Sequence, residues 1–359
     1  MTTKPSEISM PQKKELDNDC ICVVSKQKIE YNYNISAITH LSENKFGVGI
    51  HDKLIIYELP KNLGHDGLKP IPHNLVRYST DFETPLDSKR FGNINKLVAN
   101  DNLLISGGID ATIFIHDIQS KKLIHKITTH TSPIFDICIS GNYIISSSMD
   151  GIINICDIIK KENIRIIEDY QQFATDGYSL CVIDNLLLIG GYENTIKILD
   201  MRTWKCINSI NIGHQGDLVC EMHVAGRFVY IRDWGAILRL DIDNLGSTVK
   251  RIITQDGIYC FQIISNTHLI CACKDGNIRI IDINTGNCLS SIPVLNKKYG
   301  DSYQTCMAIQ DNIIIFSDRK ELVITQYILF PGELSKFKAV IFGYELPTYL
   351  DNHLLACFK

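Results

Sequence analysis

Two sets of side chains in this sequence have the types and spacing for chemistry. The first is a column of acids, Asp52, Asp110, Asp150, Glu193, Asp233, Asp275 and Asp318, each at a break before an alternating apolar run. His130 and His214 precede Asp150 and Asp233 in the chain. Carboxylate and imidazole together can perform acid–base work. An acid at a hairpin tip can also accept backbone N–H groups and an imidazole N–H, holding the turn in place. That turn-holding role accounts for the whole column without invoking catalysis.

The second set is thirteen cysteines, an odd number, most of them inside apolar runs (Cys138, Cys156, Cys181, Cys220, Cys260, Cys271, Cys306). A free thiol in such a place behaves as a small hydrophobe, so this usage predicts a reducing compartment, the cytoplasm or nucleus. Cys20-Ile21-Cys22 and Cys271-Ala272-Cys273 each put two thiols on one strand face, without the second pair that zinc would require. The chain has no Gly-x-Ser-x-Gly elbow and no phosphate-binding glycine loop. No catalytic residue, cofactor or metal is expected.

The elements that must position these residues repeat. Ser106 to Asp117 is an apolar run, small residues, an acid and an alternating strand that closes on a second Asp. The closing Asp returns at Asp117, Asp157, Asp200, Asp241 and Asp282, in steps of 40, 43, 41 and 41 residues. Weaker copies flank these at His51 to Glu58 and Ser317 to Thr325. A period of about 40 to 45 residues with four strands each is the pattern of propeller blades. The expected fold is all-β: a seven-bladed β-propeller of four-stranded antiparallel blades over residues 20–330.

In the second unit the strands are expected at Ile94 to Ala99, Leu103 to Gly107, Thr112 to Ile118 and Lys122 to Ile127. Middle strands such as Leu186 to Ile189 are continuously apolar, as burial on both faces demands. An open ring would leave two sheet edges, so one terminus must close it. Both Gln27 to Tyr33 and Phe337 to Tyr344 could supply that strand. Residues 60–91, with Pro60, Pro70, Pro72 and Pro85, form an insertion in blade one whose centre, Asn74 to Tyr78, can serve as an outer strand. Met1 to Asp19 is polar and reads as a flexible tail, and residues 331–359 are expected to pack on or close the ring.

The 359 residues are 45% hydrophobic with a net charge of -4, enough for a large core and without a global attraction to phosphate backbones or anionic membranes. Proteins or peptides are the expected partners; nucleic acid and small molecules are not. No apolar leader and no run of 18 apolar residues occurs, so the chain is expected to be soluble and not secreted.

The repeat resembles the WD40 family, whose blade opens with Gly-His, carries Ser-x-Asp before the third strand and ends that strand in Trp-Asp. The column of turn acids matches that pattern in all seven units, Gly-His survives as Gly213-His214, and Thr129-His130 is a second version. The Trp is replaced by Tyr57, His116, Cys156, Leu199, Leu240 and Ile281. The resemblance implies an incomplete hydrogen-bond network within the blades, with His130 and His214 as blade-entry histidines bonded to the acids. It also implies a non-catalytic scaffold or adaptor subunit of an intracellular multiprotein complex, binding partners on the face that carries the turn acids.

Carried onto this chain, that rim includes Lys53, Ile109, Met149, Tyr192, Trp234, Lys274, Arg319 and Lys320, with Phe173, Gln215 and Tyr299 from the entry loops. Trp234, Tyr192 and Arg319 are expected to form its centre, since interface energy concentrates in such residues. Alternatives from the wider family are substrate recognition for a ubiquitin ligase, hydrolysis at the channel, and phosphoinositide binding. The tail before the ring is shorter than an F-box segment, so a ligase role would require a separate adaptor. Lys89-Arg90-Phe91-Gly92 matches the lipid-binding motif only superficially.

Overall fold

The structure is a computed structural model, and it describes residues 19–30, 35–41, 45–51, 53–58, 76–78, 93–100, 102–167, 179–191, 195–212, 219–233, 236–244, 249–254, 257–293, 306–310, 313–318 and 321–331. The first strand is β1 (Asp19–Glu30). Six antiparallel sheets then follow, each from four consecutive strands. The first blade is β2 (Ile35–His40), β3 (Lys45–Ile50), β4 (Lys53–Glu58) and β5 (Val76–Tyr78); the second is β6 (Ile94–Ala99), β7 (Leu103–Gly108), β8 (Ile113–Asp117) and β9 (Leu123–Ile127). The third holds β10 (Ile134–Ser140), β11 (Tyr143–Ser148), β12 (Ile153–Asp157) and β13 (Glu162–Ile167), and the fourth β14 (Ser179–Ile183), β15 (Leu186–Gly190), β16 (Thr195–Asp200) and β17 (Lys205–Asn211). The fifth comprises β18 (Glu221–Ala225), β19 (Phe228–Arg232), β20 (Ala236–Asp241) and β21 (Lys250–Thr254); the sixth, β22 (Ile258–Ile263), β23 (His268–Cys273), β24 (Asn277–Asp282) and β25 (Cys288–Pro293).

The remaining sheet is different in kind. β26 (Met307–Gln310), β27 (Ile313–Asp318) and β28 (Glu321–Pro331) form three of its strands, and β1 is the fourth, paired antiparallel to β28 from Asp19 opposite Pro331 to Glu30 opposite Glu321. The expectation of a seven-bladed propeller is therefore corrected: six blades are built from four consecutive strands each, and the remaining sheet is assembled from both ends of the chain. The physical reason is the seam, where an exchanged strand replaces two open edges with a hydrogen-bonded ladder. Of the two strands considered for closure, the amino-terminal one does it, beginning at Asp19 rather than at Gln27. The run Phe337 to Tyr344 lies outside the described residues, as do most of the insertion, Lys89 to Gly92 and the first 18 residues.

The innermost strands pack in a closed order, β2 on β6, then β10, β14, β18, β22 and β26, which returns to β2. Between neighbouring sheets sit apolar layers. Ile105, Ile113, Ile115 and Ile127 of the second blade meet Ile134, Ile137 and Ile144 of the third, and equivalent clusters fill the other junctions. The middle strands are buried on both faces because a blade lies on each side of them.

The closing aspartates have a local cause. Asp117, Asp157, Asp200 and Asp282 each accept, through the backbone carbonyl, the N–H of the residue four positions on, Lys121, Lys161, Trp204 and Gly286, at 2.6–2.8 Å. Those residues have φ of 56° to 77°, and the aspartate side chains accept further turn amides, such as Ile159 and Lys160 on Asp157 at 2.9 and 3.0 Å. An aspartate here caps a tight turn that non-glycine residues otherwise enter at a cost of order 1 kcal/mol.

Candidate functional site

The described turn acids Asp110, Asp150, Asp233 and Asp275 lie at the opposite end of the strands from the closing aspartates, between the second and third strand of their blades. The third blade shows the fullest bonding. Asp150 accepts the Thr131 N–H at 2.8 Å and the Ile152 N–H at 3.0 Å, and His130 Nδ1 lies 3.1 Å from its Oδ2. His130 Nε2 lies 2.8 Å from Ser146 Oγ. With Nδ1–H donated to the carboxylate, Nε2 accepts from the serine hydroxyl, a tautomer assigned from the partners. Burial pushes the His130 imidazole below its ordinary range, and the Asp150 charge opposes that only in part, so the ring stays neutral. Ser148 Oγ donates to the Ser132 carbonyl, and Asn154 Nδ2 to Thr129 Oγ1, tying the entry segment to the blade.

A serine, a histidine and an aspartate in sequence invite comparison with a hydrolase. Ser146 is fully buried in mid-strand, however, so no substrate carbonyl can reach its hydroxyl. The arrangement holds a turn.

The other described acids keep the turn but change the partner. Asp110 accepts the Thr112 N–H at 3.3 Å. Asp233 accepts the Ala236 N–H and lies 3.4 Å from Arg251 Nη2. Asp275 accepts the Asn277 N–H at 3.1 Å and is paired with the Arg279 guanidinium. A Cβ on Gly108, just before the second blade's turn, would run into the Asn93 carbonyl oxygen, so that approach needs glycine.

These turns present apolar side chains to solvent. Ile109 is 45% exposed and Met149 42%, each immediately before its turn acid, on adjacent blades. Lys274 is exposed at the same place in the sixth blade, its N–H donated to the Gly257 carbonyl at 2.6 Å. Asp52, Glu193, His214, Phe173, Tyr192, Trp234, Tyr299, Arg319 and Lys320 lie outside the described residues, and of Asp318 only the strand position is described.

Sequence reasoning passed over a polar cluster on the inner strands. Lys96 Nζ lies 2.7 Å from Asp136 Oδ1, while Asp136 Oδ2 accepts the Leu180 N–H of the fourth blade at 2.8 Å. In the fifth blade Glu221 takes His223 Nε2 at 2.9 Å, Arg232 Nε at 3.1 Å and the Phe261 N–H of the sixth blade at 3.2 Å. Burial alone would raise the Glu221 carboxyl, but the His223 hydrogen bond and the nearby His223, Arg232 and Lys96 charges lower it to about 2. Two carboxylates thus staple neighbouring blades along the inner wall. The available signal was one charged side chain, Lys96, Asp136 or Glu221, in each of three inner strands.

Among the described residues no group of three or more His, Cys, Asp or Glu side chains could hold a metal, and the ten cysteines whose side chains are described are free thiols. No helix among them is long and apolar enough to cross a membrane.

Comparison with known proteins places these observations. Residues 121–157 match the family model WD40, described as "WD domain, G-beta repeat". Among similar proteins, the U3 small nucleolar RNA-associated protein 15 homolog of Xenopus tropicalis is 25% identical over 42% of this chain and 31% of its own length. Myosin heavy chain kinase C of Dictyostelium discoideum is 28% identical over 36% of this chain and 16% of its own length. The anaphase-promoting complex subunit cdc20 of the same organism is 28% identical over 36% and 27%. The matched stretches thus span less than a third of each relative. Among solved structures, the WD40 β-propeller domain of Doa1 matches with a TM-score of 0.66 at 14% identity, covering 85% of this chain and 97% of that one. The computationally designed Ika8 protein matches at 0.60 and 18%, covering 85% and 99%.

Proposed function

This chain is a WD40-repeat β-propeller, and on that premise we propose that it is a non-catalytic scaffold or adaptor subunit of an intracellular multiprotein complex, binding proteins or peptides on the turn-acid face. The observation that carries the reading is the pair Ile109 and Met149, two apolar side chains held out to solvent on adjacent blades by turns that are themselves hydrogen-bonded. A rigid apolar anchor costs little ordering entropy when a partner covers it. Trp234, Tyr192, Arg319, Lys320, Lys274, Phe173 and Tyr299 extend the contact surface around the same rim. Free thiols in the described strands of the third blade onward suit the cytoplasm or nucleus.

The names of two relatives support the reading at the level of class, one being associated with a small nucleolar RNA and one a subunit of the anaphase-promoting complex. Affinity capture with the tagged chain and with a folded Trp234→Ala, Arg319→Ala variant tests the proposal. A stable set of proteins that the variant loses is the expected result, and capture of the same set by both would place the contact elsewhere.

A further inference from the structure

The end of the ring opposite the turn acids carries a surface that the role above leaves unused. There the second to sixth blades turn from the third to the outer strand around the closing aspartate, and the second residue after it is exposed. That residue is Gln119, Arg202, Asp243 and Asn284 in the second, fourth, fifth and sixth blades, all polar. In the third blade it is Ile159, 70% exposed and held outward by a turn whose amides are bound to Asp157.

Three further isoleucines are exposed on the outer strands of the same and the neighbouring blades. In the second blade His116 pairs with Leu123 and Ile115 with His125, which makes Ile124 the extra residue of a β-bulge. Ile164 and Ile207 hold the same bulge position in the third and fourth blades. A bulge re-aims a side chain, and all three isoleucines are exposed, whereas Leu289, at the same position of the sixth blade, is buried.

Basic side chains surround this stripe. Lys122, Lys126, Lys160, Lys161 and Lys205 are exposed on the same three blades, while Asp117, Asp157 and Asp200 are turned onto the amides of their own turns. Glu162 is an exposed acid among them. The blades meet here: His125 of the second is pushed down first by burial and then by the charge of Lys161 on the third. A protein of net charge -4 thus carries a local basic and apolar sidewall.

We propose that the outer strands and lower turns of the second to fourth blades dock an acidic protein segment bearing apolar side chains, its carboxylates on the lysines and its apolar groups on Ile159 and Ile164. Charge complementarity selects an acidic occupant. The open edges select a protein over a lipid surface. β9, β13 and β17 are the outermost strands of their sheets, and hydrocarbon cannot satisfy edge amides, whereas an extended peptide can.

The test uses the whole chain and a fluorescein-labelled peptide, Glu-Leu-Glu-Leu-Glu-Leu-Glu, with its lysine-for-glutamate counterpart as control. Fluorescence anisotropy should show binding of the acidic peptide alone, weakening as salt rises from roughly 0.05 to 0.5 M. An Ile159→Asp, Ile164→Asp variant should bind at least about tenfold more weakly, a loss of about 1.4 kcal/mol or more. A Lys122→Glu, Lys161→Glu variant should behave the same way, and both should melt as the parent does, because the altered side chains are solvent-exposed. Failure of the acidic peptide to bind, equal binding by the variants, or flotation on phosphatidylserine vesicles lost in these same variants would overturn the proposal.

Discussion

The third and sixth blades carry the same turn acid and secure it in opposite ways. Asp150 is 5% exposed, accepting two backbone amides and a buried neutral histidine that is itself bonded to Ser146. Asp275 is 42% exposed and relies on the Asn277 amide and on Arg279 from its own third strand. The hairpin tip demands an acid in both, because backbone amides need an acceptor there. The second partner is free to change. The family model matches only residues 121–157, the stretch that contains His130 and ends at the closing aspartate of the blade with the complete network.

The largest expected difference follows from burial. Asp150→Ala removes the acceptor of the Thr131 and Ile152 amides and of the buried His130 N–H, and should lower unfolding free energy by about 1–3 kcal/mol in denaturant titrations. An unchanged midpoint would mean that the network contributes nothing.

The histidine should leave a pH signature near neutrality that the sixth blade's turn, which holds no histidine, lacks. Its folded-state pKa is held below the ordinary value, so the unfolded chain takes up the proton first, and stability falls as pH drops through about 6.5 toward the folded value. A His130→Gln variant should show a flatter stability profile over that range than the parent. Parallel profiles for the two proteins would contradict the buried neutral assignment.

The smallest effect belongs to Asp275→Ala. An exposed ion pair is typically worth under about 1 kcal/mol and is screened by salt, so the loss should be slight and should shrink at high ionic strength. A loss as large as that for Asp150→Ala would erase the distinction between the blades.

Much of this comparison was legible in the sequence, because strands, tight turns and turn acids are local. The second blade's strands were placed within a residue or so by the alternation before Asp117 and the breaks at Asn100 and Asp110. The seam was not legible, since two termini with similar apolar content could each pair with β28, and only the ladder from Asp19 to Glu30 decides. Lys96 and Asp136 stand 40 residues apart, and their contact exists only once two blades are neighbours. The sidewall isoleucines were hidden for another reason: a bulge breaks the alternation from which burial is inferred, so Ile164 points where the two-residue period would not send it.

The central claim is that partner binding resides on the turn-acid face. The most direct test is quantitative affinity capture of an Ile109→Asp, Met149→Asp variant beside an Ile159→Asp, Ile164→Asp variant, each first shown to melt as the parent does. The account predicts that the first loses the main set of captured proteins while the second retains it. Retention by the first variant would contradict the claim.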